Sequence, residues 1–299
     1  MKVFITWHQD TGGRSCHKLR EILTLFLYKQ LISSKRVVIC KHDSWYAKNQ
    51  RILNHTILDK TFTYLPKCSK TLSINGFTEP THWDGLSYQE FIANLDKINK
   101  FIYQCSRSGF KSCSVTFSSR GSVDPSRLYE WVQAGHLKSK VLQSYILDIK
   151  KFIYSFKPEG LTAYPIVIHI RRGDIAHQLT RKNKHCATSV YLPVIKKLQS
   201  MHSKPIFVLT EIQNSEDVRL LESNCKAAGL KSIRFIYGER QDTCFHFFMM
   251  VSANILVVSP SSQFSLFASY LLDPDSTVVK CLPDAAYKGS FINDNIITL

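Results

Sequence analysis

Apolar residues in the second half of the chain fall into five short runs that are separated by longer amphipathic stretches. The runs are nearly continuous in Val, Ile, Leu and Phe, which is typical of strands buried on both faces. Regular alternation of such strands with helices predicts a parallel sheet covered by helices. The predicted strands span residues 165–170, 205–210, 233–237, 254–259 and 277–282, and the predicted helices span 187–201, 214–228, 242–252 and 262–272.

The first half begins with the same alternation and then becomes less regular. A strand at 2–7, a helix at about 16–31 and a strand at 36–40 predict a βαβ start. Residues 48–87 form an irregular stretch, and helices at 88–105 and 126–156 follow with a short strand at 114–117 between them. The breaker cluster Lys157-Pro-Glu-Gly160 precedes the strongest strand. We therefore predict an α/β chain of two domains, 1–157 and 158–299.

The net charge of the chain is strongly positive. The 299 residues carry a formal charge of +16, and the sequence pI is near 9.4. Such a balance attracts phosphate-bearing partners in general. The lysines are scattered and form no long basic run, and the sequence contains no nucleic-acid-binding motif. The charge thus predicts a solvated basic surface rather than a specific nucleic-acid partner.

Cysteine usage and hydropathy bear on the compartment. The nine cysteines include no CxxC pair, and an odd number cannot pair completely within one chain. Free, mostly buried thiols in a reducing compartment are the simpler interpretation. No apolar stretch reaches the roughly 20 residues that span a bilayer. The first residues resemble a strand rather than a signal peptide, so we expect a soluble, cytoplasmic protein without a transmembrane segment.

The main candidate site is the segment His169-Ile-Arg171-Arg172-Gly-Asp174, at the carboxyl end of a predicted buried strand. Ligands of open α/β sheets bind at that edge. A planar guanidinium gives parallel, charge-assisted hydrogen bonds to phosphate oxygens, so the two arginines and the histidine can neutralise a diphosphate. A salt bridge from an arginine to Asp174 is the competing structural interpretation. The position directly after a buried strand favours phosphate binding.

A serine-rich loop, Ser259-Pro-Ser261-Ser262-Gln263-Phe264-Ser265, connects another predicted strand to a helix. Hydroxyls and free backbone N–H groups at a helix N-terminus bind anions. Ser261 or Ser262 as a simple helix cap is the competing interpretation, and the two roles are compatible. Both segments follow strands of one predicted sheet, so we expect them to face one diphosphate.

A third loop, Asp10-Thr-Gly12-Gly13-Arg14-Ser-Cys-His17, lies between the first strand and the first helix. Its glycines permit close approach of the backbone to a ligand. It lacks the Gly-Lys-Ser/Thr ending of a P-loop, and a plain tight turn is the competing interpretation.

Taken in chain order, these motifs resemble the α1,2-, core α1,6- and protein O-fucosyltransferase superfamily. His-Ile-Arg-Arg-Gly-Asp looks like its first motif, the Ser-Ser-Gln and Phe-Ser loop like its C-terminal serine motif, and Gly-Gly-Arg like its N-terminal glycine loop. Thr210-Glu211 stands where such enzymes often carry Thr-Asp. The resemblance implies a GT-B fold, with two Rossmann-like domains facing a central cleft. It also implies an inverting transfer of sugar from a nucleoside diphosphate to a glycan hydroxyl, without a required metal or other cofactor.

Two departures from the family pattern affect the donor. The family loop often has Gly-Asn-Gln where this chain has Cys-His17-Lys. The family commonly reads guanine with an acidic residue early in the helix before the serine motif, where this chain has His246, with Asp242 one turn earlier. GDP-fucose is the first expectation, and a UDP-sugar, with xylosyl transfer as one case, stays open. A compact chain of this kind would suit a viral or microbial glycan-building enzyme, acting in the host cytoplasm if viral.

For catalysis, the sequence points first to Arg171 as the group that stabilises charge on the leaving diphosphate. Asp10 is the candidate base for the acceptor hydroxyl, with His17 and His8 as rivals. The spacing of Asp273-Pro-Asp275 suits a metal motif, but its proline and its place before the last predicted strand indicate a turn. Two other classes remain open: a catalytically silent sugar or nucleotide binder on the same fold, and a nucleic-acid-binding protein motivated by the charge.

Overall fold

Two parallel sheets, one in each half of the chain, organise the protein. The computed structural model describes residues 1–8, 15–34, 36–42, 61–75, 86–118, 122–123, 125–155, 164–172, 186–212, 215–238, 243–260, 262–283 and 295–298. The chain divides into two units, Met1–Ser155 and Phe156–Leu299, close to the breaker cluster of the sequence.

The first unit contains a four-stranded sheet whose order is β2-β1-β4-β3, with every neighbouring pair parallel. Helix α1 packs on this sheet through Tyr28, whose ring stacks on Phe117 of β4. The next helix joins the same core, since Phe91 lies 4.8 Å from the Tyr28 ring. The strands are β1 Lys2–His8, β2 Val37–Ile39, β3 Thr71–Asn75 and β4 Ser112–Ser118, and the helices are α1 Ser15–Leu31, α2 Tyr88–Arg107, α3 Pro125–Gln133 and α4 Ser139–Tyr154.

The second unit contains a six-stranded parallel sheet of order β10-β9-β8-β5-β6-β7. With β5 numbered as strand 1, the order is 3-2-1-4-5-6, as in a dinucleotide-binding Rossmann sheet. The order in which strands are added to the sheet reverses between β5 and β8. The strands are β5 Tyr164–Ile170, β6 Ile206–Glu211, β7 Ile233–Gly238, β8 Ala253–Val258, β9 Thr277–Lys280 and β10 Ile296–Thr298. The helices are α5 Tyr191–Met201, α6 Glu216–Ala227, α7 Thr243–Val251 and α8 Gln263–Ser269, and a 3₁₀ turn at Thr188–Val190 precedes α5.

The predicted α/β class is confirmed, and so are the five strands predicted in the second half, with small shifts at their ends. Most residues of β5, β8 and β9 are buried, and such strands have the continuous apolar sequence on which the prediction rested. Gly229 ends α6 as predicted, with φ of 68°, a left-handed conformation that glycine adopts without a Cβ penalty.

Three predictions for local structure were wrong or incomplete. The single helix at 126–156 is two helices, α3 and α4, and Gly135, with φ of 73°, lies in the turn between them. Strand β3 falls inside the stretch predicted to be irregular, because its alternating Thr-Leu-Ser-Ile-Asn pattern is short and mostly polar. Strand β10 was not predicted at all, since it is a three-residue edge strand with exposed side chains.

The cysteine side chains and the apolarity of the helices can be compared with the expectations from the sequence. The seven cysteines whose side chains are described, at positions 40, 68, 105, 113, 186, 225 and 281, are all free thiols. Among the described residues, the helices include none with the length and apolarity required to cross a membrane.

Candidate functional site

The carboxyl ends of three adjacent strands define the candidate site. Strand β5 lies between β6 and β8, with Ile170 opposite Thr210 and Ile168 opposite Val257. The residues that follow these strands therefore meet at the reversal point of the sheet, where ligands of open α/β folds bind. Two of the loops predicted from the sequence, the one after β5 and the serine loop after β8, come together there.

Ser259 joins the two loops directly. Its Oγ accepts a hydrogen bond from the backbone N–H of Arg171 at 3.1 Å, and it lies 3.2 Å from the hydroxyl of Tyr191. The backbone N–H of Ser259 donates to Oγ of Ser265 at 3.2 Å. Burial raises the pKa of Tyr191 well above its usual range, so that phenol stays protonated and polar at this junction. The position of Arg171 is thus held by the loop after β8.

The serine loop uses its described hydroxyls internally. Ser262 caps α8, its Oγ accepting from the backbone N–H of Ser265 at 3.4 Å, and both side chains are buried. The capping interpretation from the sequence is confirmed for Ser262. These two hydroxyls shape the loop instead of pointing outward to a phosphate. Phe264 packs inward as well, with its ring 5.8 Å from His169 and 5.2 Å from Phe247.

Arg172 has a structural role in place of the direct phosphate contact expected from the sequence. Its side chain is fully buried, and Nε and Nη2 donate to the carboxylate of Asp217 at 2.7 to 3.1 Å. Its Nη1 donates to the carbonyl of Arg171 at 2.7 Å, and Nη2 donates to the carbonyl of Cys186 at 3.0 Å. Asp174, the partner in the competing salt-bridge interpretation, lies outside the described residues, and Asp217 is the observed partner of Arg172.

His169 also differs from the expectation, because it supplies no positive charge. It is 4% exposed, and burial, followed by the nearby His246 and the two arginines, lowers its pKa to about 3. The ring is therefore a neutral imidazole at ordinary pH. Protonation is disfavoured in the folded state, so this histidine destabilises the fold as pH falls below its ordinary value near 6.5 toward 3.

His246, at the position where the family carries an acidic residue, lies in α7 and is 7% exposed. Its imidazole fills the space beside Gly238, the last residue of β7, where a Cβ would collide with the ring. Only glycine at this position lets the ring pack against the strand end. The ring is enclosed by protein and is not presented at the surface.

Glu211 and Thr210 end β6 next to this cluster. A carboxylate oxygen of Glu211 accepts the backbone N–H of Arg172 at 2.7 Å, which ties the loop after β5 to β6. Thr210 is buried, and its hydroxyl has no hydrogen-bond partner among the residues that the structure describes. The Glu211 carboxylate thus binds a backbone N–H group, and the Thr210 hydroxyl lies in the interior.

Arg171 is the part-exposed member of the first motif. Its neighbours His169 and Arg172 are buried, so it is the described cation of this motif that a ligand at the strand ends can reach. Its backbone is held on both sides, by Ser259 at its N–H and by Arg172 at its carbonyl. A part-exposed cation on a backbone held in this way is well placed for a negative charge at the strand ends.

The remaining predicted residues are distributed as follows. His8 ends β1 in the first unit, with its ring 4.7 Å from that of His42. His17 lies in α1 and Gln263 in α8, and nothing is described of their side chains. Among described residues, no group of three or more His, Cys, Asp or Glu side chains could hold a metal ion. Asp10, Gly12, Gly13, Arg14, Asp174, Asp242 and Ser261 lie outside the described residues.

Three residues that matter here were not among the predicted site residues: Ser259, Tyr191 and Asp217. Ser259 carried a usable signal, as a polar residue directly after a buried strand on the reversal side of the sheet. Asp217 did not, because an acidic residue in the first turn of a helix is also expected from the helix dipole alone. Tyr191 looks from sequence like any core aromatic.

Comparisons with known proteins complete the description of this site. No protein-family model matches the sequence, and no curated protein matches it. Among solved structures, POFUT1 in complex with GDP is similar, at 13% identity over 90% of this chain and 94% of that chain, with a TM-score of 0.47. The fucosyltransferase NodZ from Bradyrhizobium has 10% identity, 91% and 93% coverage and a TM-score of 0.39. A UDP co-structure of S. aureus MnaA has 10% identity, 94% and 79% coverage and a TM-score of 0.35. Likenesses at these TM-scores assign no activity to this chain.

Proposed function

We propose that this protein is a glycosyltransferase that moves a sugar from a nucleoside-diphosphate sugar to a hydroxyl of a glycan or glycoconjugate. The second unit would bind the nucleotide sugar and the first unit the acceptor, in a GT-B arrangement. The transfer would invert the anomeric carbon and require no metal. Fucose from GDP-fucose is the proposed donor sugar.

One observation carries the proposal: a part-exposed arginine, Arg171, is fixed at the reversal point of a Rossmann-ordered sheet. That point is where open α/β sheets bind nucleotides. Its guanidinium suits phosphate because of its planar, bidentate geometry. The resemblance of the first motif to the fucosyltransferase superfamily supports a sugar nucleotide as the source of that phosphate.

In the proposed reaction, an acceptor oxygen attacks the anomeric carbon as the bond from that carbon to the diphosphate breaks. Negative charge grows on the leaving diphosphate, and Arg171 stabilises it. The acceptor hydroxyl loses its proton to a base, for which Asp10 is the first candidate and His17 and His8 are alternatives. Arg172, His169, Ser262 and Ser265 contribute by holding the loops in place.

The donor base is testable by thermal shift. His246 is enclosed against Gly238, and we propose that Asp242, one turn earlier in the sequence, reads the guanine of GDP. We expect GDP to raise the melting temperature at lower concentration than UDP. A ligand at 100 times its dissociation constant stabilises the fold by about 2.7 kcal/mol, which is readily measured.

The panel also separates the alternatives. Stronger stabilisation by UDP would indicate that the donor is a UDP-sugar and not GDP-fucose, with xylosyl transfer as one case. If neither nucleotide shifted the melting temperature while duplex DNA did, the nucleic-acid-binding class would replace the enzyme. Stabilisation by GDP-fucose without transfer or hydrolysis would mark a catalytically silent binder.

Metal dependence provides a second test. With fixed arginine charge in place of a metal, transfer or donor hydrolysis is expected to persist in excess chelator at an unchanged rate. Activity would be followed as release of the nucleoside diphosphate before and after chelation. Loss of activity that only manganese or magnesium restores would contradict the metal-independent mechanism and leave the rest of the proposal intact.

A further inference from the structure

Each of the four strands in the first unit's sheet has a basic residue at its first position or directly before it. Lys2 opens β1, and Arg36, Lys70 and Lys111 directly precede β2, β3 and β4. All four side chains are exposed. We call these four residues the basic row. The row lies at the amino ends of the strands, whereas ligands of open α/β sheets bind at the carboxyl ends.

The sheet brings these cations to one edge, on both of its faces. By the strand register, Lys2 and Arg36 are level with each other on one face, and Lys111 and Lys70, two positions apart, belong to the other face. The strand order β2-β1-β4-β3 places them as Arg36, Lys2, Lys111 and Lys70, one strand apart. Neighbouring strands are about 4.8 Å apart, so the backbone positions of the row span about 14 Å. Ladder hydrogen bonds hold them: the N–H of Lys2 donates to the carbonyl of Lys111 at 3.0 Å, and that of Val3 donates to the carbonyl of Arg36 at 2.9 Å.

Among the described residues, no carboxylate is found paired with the basic row. No acidic residue lies within two positions of any of the four in the sequence. Like charges gathered at one edge of a sheet repel one another, so an external anion stabilises them.

The dipoles of the helices do not account for the row either. Helices end at this edge of a parallel sheet, and their carbonyl ends attract cations. Lys29 in the last turn of α1 and Arg107 in the last turn of α2 already occupy those places. The basic row is additional to them and belongs to the strands.

Aromatic rings accompany these cations. Nζ of Lys2 lies 5.7 Å from the Phe4 ring, and Nζ of Lys70 lies 5.6 Å from the Phe110 ring. Tyr103, which is 62% exposed, has the guanidinium of Arg107 5.9 Å from its ring. A cavity of about 490 Å³ beside the row is lined by Arg36, Tyr103 and Ile102, among others. Phe4 and Phe110 are half-buried, and Tyr103 is the exposed ring of this group. Cations beside an exposed tyrosine fit the headgroup zone of a bilayer, where amphipathic side chains are favoured.

We propose that the basic row docks the first unit onto an anionic lipid surface as a peripheral contact. The lipid phosphates and carboxylates would neutralise the row, and the exposed Tyr103 ring would enter the headgroup layer. Each basic residue near such a surface strengthens binding by about fivefold. The attraction decays within a Debye length of the surface, and salt shortens that length. This contact is independent of the sugar-transfer proposal.

The test is sedimentation of the full chain with vesicles of phosphatidylcholine, alone or containing phosphatidylserine. Binding to the anionic vesicles is expected, with weakening at high salt and little binding to pure phosphatidylcholine. The variant Arg36→Glu/Lys111→Glu is expected to bind at least about 25-fold more weakly, since two contributions of about fivefold are lost. Lys97→Glu/Lys140→Glu changes the net charge equally at exposed helical lysines and is expected to bind nearly as the wild type. Melting temperatures of both variants check that they fold.

Three results would overturn the proposal: no preference for anionic vesicles, equal loss in both double variants, or no loss in the variant of the row. Equal loss would mean that overall charge, not the row, attracts the lipid. A parallel titration with duplex DNA covers the other polyanion. Row-dependent binding to DNA without vesicle binding would assign the row to nucleic acid instead.

Discussion

Arg171→Ala is expected to lower sugar transfer by about 10² to 10³-fold, the usual effect of removing one preorganised charge donor from a transition state. The physical reason is the position of this part-exposed cation at the reversal point of the sheet, held by Ser259 and by the carbonyl contact from Arg172. Arg171→Lys keeps the charge and loses the bidentate fork, so we expect it to be clearly impaired as well. Turnover would be measured as release of the nucleoside diphosphate.

Arg234→Ala is the matched control, because it removes an exposed arginine from β7 at the other end of a strand. It is expected to leave turnover unchanged. Both variants should melt near the wild-type temperature, since Arg171 is part-exposed, Arg234 is exposed, and such substitutions usually change stability little. An Arg171→Ala protein that melts normally and works at close to the wild-type rate would refute the phosphate-binding role and the sugar-transfer proposal with it.

Asp217→Ala is expected to be the most destabilising of the substitutions considered. It removes the carboxylate from the fully buried Arg172 and leaves a buried cation with only backbone carbonyl partners. Removal of one partner from a buried pair costs about 3 to 5 kcal/mol. Because the side chain of Asp217 is 34% exposed and water can reach it, we expect the lower end of that range. For a domain of this size the melting temperature would fall by roughly 10 °C.

Glu216→Ala is a close control, since Glu216 shares the first turn of α6 and the same favourable helix dipole but is exposed. Its effect is expected to stay within about 0.5 kcal/mol, as for most surface substitutions. Chemical unfolding of both variants measures the difference. Similar small effects in the two would show that Arg172 does not depend on Asp217 and that its guanidinium can turn to another partner.

The different roles of the adjacent residues Arg171 and Arg172 could not be predicted from the sequence. The sequence predicts His169, Arg171 and Arg172 alike as positive charge for a diphosphate, because all three are basic and lie at the end of one buried strand. The tertiary structure separates them. Arg172 is buried on the carboxylate of Asp217 in α6, while Arg171 stays part-exposed.

The serine loop shows a similar limit. Its sequence allowed both helix capping and anion binding, and the two roles need the same hydroxyls and the same N–H groups. Folding directs Ser262 and Ser265 to neighbouring backbone groups and brings Ser259 to Arg171. These are contacts between residues far apart in the chain, and no local pattern encodes which partner a hydroxyl will find.

By itself the sequence determined the class of the fold, most strands of the second half and the two strand ends where the candidate site lies. Buried parallel strands must be apolar along nearly their whole length, and that requirement is written locally in the chain. The tertiary structure alone decided the strand order, the enclosure of His169 and Arg172, the pairing with Asp217 and the alignment of four cations at one sheet edge. Each of these depends on which distant segments become neighbours, and burial and charge acquire their chemical meaning only when those neighbours are known.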